Sequence, residues 1–296
     1  MIRPLLLAAG VLALAAGCAP QTDVSAPLGS SGAMSRRPVM AEDAALQRVL
    51  ADPARSADDK SRDQYRHPYE ALTFWGLRPG MTILEVGPGA GWWTEILAPY
   101  ARATGGRFIA TGPDISSPTA SAAARKARSD FEAKYANAAR YGTVNVWGFG
   151  ATSAPLPEPG SVDFILVARA FHNWARQGEF TDKAMRDFSA ALKPGGVLAV
   201  EQHRALEGAD PKAGTGYVPE SYVIQAAERA GLRLDGKSEV NANPKDDRDH
   251  PFGVWTLQPV ARTSPLGQPD NPAFDRSPYD PIGESDRMTL RFVKPG

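Results

Sequence analysis

Ile83-Leu84-Glu85-Val86-Gly87-Pro88-Gly89-Ala90-Gly91-Trp92-Trp93-Thr94 is the stretch on which the reading of this chain turns. Apolar residues run into an acid, three glycines follow at alternate positions, and a helical pattern begins. Glycine accepts backbone conformations closed to other residues and lets the main chain approach a ligand. The start of a helix offers free N–H groups to an anionic group. A dinucleotide-binding loop spaces its glycines G-x-G-x-x-G. Here the third glycine comes one position earlier, and Trp92 stands where the dinucleotide glycine belongs.

Outward from this loop the pattern alternates between strands and helices. Strands are expected at 81–86, 107–111, 143–147, 162–168, 197–202, 232–240 and 288–293, and helices at 92–100, 118–140, 180–192 and 222–230. Upstream, helices are expected at 42–50 and 57–66. A third starts at His67-Pro68-Tyr69-Glu70, with proline in its first turn and Gly76 at its end. Such alternation implies an α/β fold, a parallel sheet covered on both faces. Residues 241–285, rich in Pro and Asp, interrupt it before the last strand. A segment that long inside a compact domain is functional or disordered. Val254, Trp255 and Leu257 suggest that part of it packs, as an insertion or lid.

The loop resembles the first motif of the class I S-adenosylmethionine-dependent methyltransferases, acid-x-G-x-G-x-G. Leu77-Arg78-Pro79-Gly80-Met81 before the first strand and Leu192-Lys193-Pro194-Gly195-Gly196 before the fifth match landmarks of that class. More narrowly, the chain is similar to a family of bacterial predicted methyltransferases of unknown substrate. The segments carrying that likeness are Gly91-Trp92-Trp93-Thr94-Glu95-Ile96-Leu97-Ala98-Pro99-Tyr100, Phe171-His172-Asn173-Trp174, Asn243-Pro244-Lys245-Asp246 and Gly283-Glu284-Ser285-Asp286-Arg287-Met288. The resemblance implies a Rossmann-like sheet of seven strands, the last antiparallel, with helices on both faces. It implies S-adenosyl-L-methionine as cofactor, with Gly87, Gly89 and Gly91 lining the donor's amino-acid end and Glu85 ordering its ammonium. In that class an acid after the second strand holds the ribose. Here Thr111-Gly112-Pro113 intervenes before Asp114, which is the candidate for that role and equally reads as a turn or cap residue. Gly148-Phe149-Gly150-Ala151 is expected near the adenine.

Ligands of open α/β sheets bind at the carboxyl ends of the strands. That rule points to 169–174 after the fourth strand and 201–204 after the fifth. No Asn-Pro-Pro-aromatic motif stands there, which argues against methylation of an exocyclic amine of a nucleobase or of glutamine. Of four histidines, His172 and His203 fall at this edge, and His250 lies in the segment able to fold over it. An imidazole with its ordinary pKa of about 6.5 suits a general base. These three are the candidate catalytic residues, with Arg169, Asn173 and Trp174 as candidate acceptor contacts. Two other readings stay open: the histidines bind a metal with Glu201 or Asp249, or they are hydrogen-bonded structural residues. Trp92, Trp93 and Trp174 suit a flat acceptor's pocket and suit core packing equally.

Lys+Arg and Asp+Glu both number 33, so the chain lacks the basic field that capture of nucleic acid needs. The acceptor is expected to be a small molecule. Arg3, the apolar run 5–16 and Gly17-Cys18 form a secretory signal over 1–17. Leu14-Ala15-Ala16-Gly17-Cys18 resembles a bacterial lipobox, which implies lipidation of Cys18, the only cysteine. A flexible tether is expected at 18–40 and the methyltransferase domain at 41–296. The expected location is the periplasmic face of a bacterial membrane, through a lipid anchor. Three functions compete: a small-molecule methyltransferase, a nicotinamide-dependent oxidoreductase disfavoured by the glycine spacing, and an exported non-catalytic binding protein that keeps the fold.

Overall fold

A computed structural model describes residues 43–296 apart from Gly178. The expectations for 1–17, Cys18 and 18–40 fall outside the described residues. Seven strands form one sheet: β1 (Thr82–Val86), β2 (Arg107–Gly112), β3 (Val144–Gly148), β4 (Val162–Ala168), β5 (Leu192–His203), β6 (Arg233–Ser238) and β7 (Arg287–Val293). Their order is β3-β2-β1-β4-β5-β7-β6. β1 to β5 run parallel, and β7 lies antiparallel between β5 and β6. The expected seven-stranded mixed sheet is therefore present. Connections reverse direction between β1 and β4, which opens a crevice at the carboxyl ends of these strands.

Alternate strand residues face opposite layers, since side chains along a strand repeat every second position. Ile83, Phe108, Phe164, Leu166 and Ala199 pack with Trp75, Trp93, Ile96 and Leu97 from α4 (Pro68–Trp75) and the start of α5 (Thr94–Thr104). Leu84, Ile109, Ile165, Val167 and Val200 pack on the other face, against Met185 and Phe188 of α9 (Phe180–Ala191) and Val223 and Ala227 of α10 (Glu220–Arg229). Central strands buried on both faces are why these segments read as unbroken apolar runs.

Several boundaries differ from the expectations, each for a local reason. The helix expected at 118–140 is two helices, α6 (Ala122–Lys134) and α7 (Ala138–Tyr141). Asn137 starts the second by accepting a hydrogen bond from the Arg140 N–H, a cap that an alanine-rich run conceals. The helix expected at 57–66 is likewise α2 (Ala57–Ser61) and α3 (Asp63–Arg66). β5 begins at Leu192 because Leu192 already pairs with Val162 of β4, and the Lys193–Gly196 turn bulges out before pairing resumes at Val197 in a shifted register. A short helix, α8 (Phe171–Ala175), follows β4 where no helix was expected. Among the described residues no helix is long and apolar enough to cross a membrane.

Residues 241–285 are ordered around two 3-10 turns, Gly253–Thr256 and Asp280–Ile282. Val254 and Leu257 are buried, Val254 against Ala205 and Tyr217. The Asp246 carboxylate accepts from the Tyr217 hydroxyl at 3.0 Å and from the Asp286 N–H at 2.7 Å, so the segment is tied to the residues after β5 and before β7. Gly253 has φ +58, and a Cβ there would lie 2.3 Å from the Thr215 carbonyl oxygen, which leaves room for glycine alone.

Candidate active site

The glycine loop bends on three left-handed glycines, Gly87 (φ +62), Gly89 (φ +56) and Gly91 (φ +88). The Gly87 N–H donates to Thr111 Oγ1 at 2.9 Å, which fastens the loop to the end of β2. Lys134 Nζ donates to the Ala90 carbonyl at 2.8 Å and the Tyr135 hydroxyl to the Gly91 carbonyl at 3.3 Å, so the end of α6 clamps it from outside. Beside the loop lies a cleft of about 570 Å³. Gly87 and Gly89 form one wall, Thr111 to Pro113 a second, and Phe131, Val146 and Phe149 supply apolar surface. A Cβ on Gly89 would meet nothing in the protein within 4 Å, so its backbone faces open space. A Cβ on Gly91 would fall 1.8 Å from the Tyr135 hydroxyl. Gly91 is thus required by Tyr135, and it is absent from the walls of the cleft.

Glu85, at the end of β1, is buried and accepts from Thr94 Oγ1 at 2.6 Å. Burial pushes its carboxyl up to about 7, against the lowering influence of Thr94, Arg169 and Lys134. A carboxyl so poised must release a proton before it can receive an ammonium group. Affinity for an amino-acid-bearing ligand is therefore expected to fall as pH drops below about 7, approaching about tenfold per unit for one linked proton. Glu85→Gln should flatten that dependence. Calorimetric titrations with S-adenosylhomocysteine between pH 5.5 and 8 check it, and a slope retained in Glu85→Gln would refute it.

At the adjoining edge the structure gathers the three histidines in a row. The His172 and His203 rings are 5.7 Å apart, His203 is 6.2 Å from Tyr217, and Tyr217 is 6.4 Å from His250. His250 Nε2 pairs with Asp246 Oδ1 at 2.8 Å, and His203 Nδ1 with Ser285 Oγ at 2.6 Å. His172 Nδ1 lies 3.4 Å from Gln202 Nε2. The expectation of a base with an ordinary pKa does not hold for His172 and His203. Burial, with the charges of Arg176 and Arg169, brings His172 down to about 4. Burial, then His172 and Arg169, holds His203 well below its usual value. Both rings are neutral at pH 7. For His172 the folded value lies below the unfolded one, so its contribution of roughly 3 kcal/mol is full above pH 6.5 and is lost as pH falls through about 4.

A network of buried charges lies under the histidines. Glu201 is fully buried and pairs with Arg287 Nη1 at 3.0 Å and Arg169 Nη1 at 3.3 Å, and it accepts from Trp93 Nε1 at 3.3 Å. Glu284 pairs with Arg287 at 2.6 Å and Arg66 at 2.8 Å. Burial alone would raise both carboxyls; the arginines outweigh it and hold Glu284 at about 2 and Glu201 below its usual value. Arg169 has φ +53, a conformation few residues other than glycine adopt.

The remaining expected site residues are distributed as follows. Asp114 is partly buried, one residue beyond the cleft wall at Pro113, and its carboxylate accepts from the Ser116 N–H and hydroxyl. Asn173 is exposed and accepts from Arg176. Trp174, expected at the acceptor, is core: it packs on Phe171, Phe180 and Phe188 and stands behind Phe149 of the cleft. Trp92 and Trp93 are buried, the former under Arg66. Glu201 is committed to arginines. Among the described residues the grouping of metal-type ligand atoms is Asp246, Asp247 and His250, and Asp246 already has both oxygens engaged. Sequence reasoning gave no role to Arg66, Arg176, Trp255, Arg262, Glu284, Ser285 and Arg287. Four of these lie in the network below the histidines; Trp255 borders His172, and Arg176 and Arg262 lie over the Trp255 ring. The signal for three of them was the family-like segment 283–288, read only as a likeness.

Residues 84–200 match the family described as a methyltransferase domain. Among solved structures, a SAM-dependent methyltransferase from Aquifex aeolicus is 25% identical, covers 66% of this chain and 93% of its own, and has a TM-score of 0.45. The N-methyltransferase NodS from Bradyrhizobium japonicum WM9 is 16% identical over 81% of this chain and 99% of its own, with a TM-score of 0.47. No curated protein matches the sequence significantly.

Proposed function

We propose that the chain, whose residues 84–200 match a methyltransferase-domain family, is a class I S-adenosylmethionine-dependent methyltransferase that transfers a methyl group to a small-molecule acceptor seated over the ends of β4 and β5. The observation that carries this reading is the cleft at the switch point, where the backbone of Gly87 and Gly89 faces open volume walled by the ends of β2 and β3. The residues suit the donor. Glu85 is a carboxylate for an ammonium, Gly87 and Gly89 leave room for close approach, and Val146, Phe131 and Phe149 offer apolar surface to a purine. The bound donor supplies a methyl carbon made electrophilic by an adjacent sulfonium. An acceptor lone pair forms the new bond to that carbon as the carbon–sulfur bond breaks toward sulfur, and any proton on the acceptor leaves to solvent.

His172 and His203, neutral at pH 7, serve as hydrogen-bonding partners that orient the acceptor, with the 241–285 segment closing over it. Orientation by such contacts is worth about 10²-fold in rate. His172→Ala should lower methyl transfer from labelled donor into a small-molecule extract by about that factor, with affinity for S-adenosylhomocysteine within about twofold. At saturating donor the wild-type rate should show no inflection near 6.5. An inflection there that disappears in His172→Ala would overturn this role and restore a titrating base.

The export reading completes the proposal. Cleavage before Cys18 and lipid attachment there would place the domain on the periplasmic face of a bacterial membrane, at the outer membrane in a Gram-negative host. Support comes from the charged start, the short apolar run and the lone cysteine. Mass spectrometry of the mature N-terminus from native cells checks it: a lipidated Cys18 is expected, and a retained Met1 would exclude export.

A further inference from the structure

The surroundings of His172 hold more positive charge than the described residues neutralise. Trp255 stands edge-on to His172, ring centroids 5.7 Å apart. Two guanidinium groups lie over the Trp255 ring, Arg176 at 5.6 Å and Arg262 at 5.1 Å. Among the described residues neither has a carboxylate partner; the side-chain hydrogen bond of Arg176 goes to the neutral Asn173 Oδ1 at 3.1 Å. Arg169, whose charge also acts on His172, shares the carboxylate of Glu201 with Arg287. The buried network beneath is also arginine-rich. Arg66, Arg169 and Arg287 meet Glu201 and Glu284, and Arg66 Nη1 and Arg287 Nε are buried without an acceptor.

Several features separate this arrangement from ordinary surface arginine. Arg169 is held in a left-handed backbone conformation, which costs energy and persists where surrounding structure imposes it. Trp255 is only partly buried, and it gathers both guanidinium groups on one rigid aromatic ring. Arg169 and Arg176 flank α8, and Arg262 reaches the same place from the 241–285 segment. A guanidinium fork matches the two oxygens of a carboxylate or phosphate, and its cationic plane stacks on aromatic rings.

Resting on the reading above, we propose that the methyl acceptor is an organic oxyanion carrying a flat ring, its carboxylate or phosphate held by Arg169, Arg176 and Arg262 beside His172 and its ring lying along Trp255. Glu85 stays reserved for the donor's ammonium, so donor and acceptor are sorted by opposite charge at the two ends of one crevice. An acceptor anion also places negative charge near the cationic donor and draws the reactants together.

The test titrates the mature chain, first alone and then saturated with S-adenosylhomocysteine, with benzoate, phenyl phosphate and neutral benzamide at constant ionic strength. Binding is followed by heat and by tryptophan fluorescence. One of the two anions should bind saturably with one-to-one stoichiometry in the saturated protein, and benzamide should not. The preference between the anions identifies the oxyanion class. Arg176→Gln and Arg262→Gln, at positions open to solvent, should each weaken that binding at least about tenfold and leave S-adenosylhomocysteine affinity within about twofold. The proposal is overturned if neither anion binds, if benzamide binds as well, or if both substitutions leave anion binding unchanged. It is also overturned if S-adenosylhomocysteine displaces the anion, because the site is then the donor's own carboxylate site. Should S-adenosylhomocysteine itself fail to bind, the methyltransferase reading falls, and the titration of the chain alone still decides whether an anion site exists.

Discussion

Gly89→Val is expected to weaken binding of S-adenosylhomocysteine by at least about a hundredfold, the cost of forcing an isopropyl group into a fitted contact. The space in front of Gly89 is free of protein atoms, so its missing side chain is no requirement of packing. The space belongs to the cleft, and a ligand that fills the cleft competes with any side chain placed there. The substitution also carries a backbone penalty, since φ is +56 and a left-handed conformation costs about 1–2 kcal/mol in a residue with a Cβ. Gly89→Ala carries that penalty with a smaller obstruction and separates the two effects. Both variants should unfold cooperatively a few degrees below the wild type. A folded Gly89→Val protein with unchanged affinity would mean that the ligand does not pass over this glycine.

The largest effect on stability is expected from Glu201. Its carboxylate is fully buried and accepts from Arg287, Arg169 and Trp93, while its backbone carbonyl accepts from the Arg169 N–H at 2.7 Å. Removing one partner of a buried ion pair costs about 3–5 kcal/mol, because the remaining charge stays buried without compensation. Glu201→Ala strands Arg169 and leaves Arg287 with Glu284 alone. A drop of roughly 10 °C in the thermal midpoint is expected for a domain of this size. Glu201→Gln, which keeps the shape and an acceptor oxygen, should lose less. A stability of Glu201→Ala within about 1 kcal/mol of wild type would show that the network contributes little.

The sequence made the fold legible where one local signal determines the structure. The run Ile83 to Val86 is a buried central strand, and its apolar character needs no tertiary knowledge to recognise. Glycines at 87, 89 and 91 are required by backbone angles that composition alone announces. Legibility failed where a short signal was embedded in a stronger one. Asn137 divides an alanine-rich helix, and the five-residue α8 is too brief to show a period and has no side-chain cap. The roles of the glycines were legible only in part. Gly89 faces the cleft and Gly91 accommodates Tyr135, a difference set by a residue 44 positions away.

The acceptor edge was legible in position and illegible in electrostatics. Strand counting placed His172 and His203 together, and their rings are 5.7 Å apart. That burial and two arginines lower His172 to about 4 depends on how α8 sinks beside β5 and on where Arg176 points. Neither is written in the local sequence. The 241–285 segment was recognisable as an interruption, and the buried pairings that dock it, Asp246 with Tyr217 and Asp286, join residues 29 and 40 positions apart. The ion network shows the same pattern on a larger scale, since Arg66 and Glu284 are separated by 218 positions. Polar residues pair across such distances once the sheet has brought them together, and their isolated sequence context carries no trace of the partner.

The measurement that tests the central claim most directly is calorimetric titration of the protein with S-adenosylmethionine, S-adenosylhomocysteine and NAD. The account predicts saturable one-to-one binding of S-adenosylmethionine and S-adenosylhomocysteine at pH 7.5, weakening toward pH 6 as Glu85 takes up a proton, and no binding of NAD. Absence of heat with S-adenosylmethionine and S-adenosylhomocysteine, or saturable binding of NAD in their place, would contradict it.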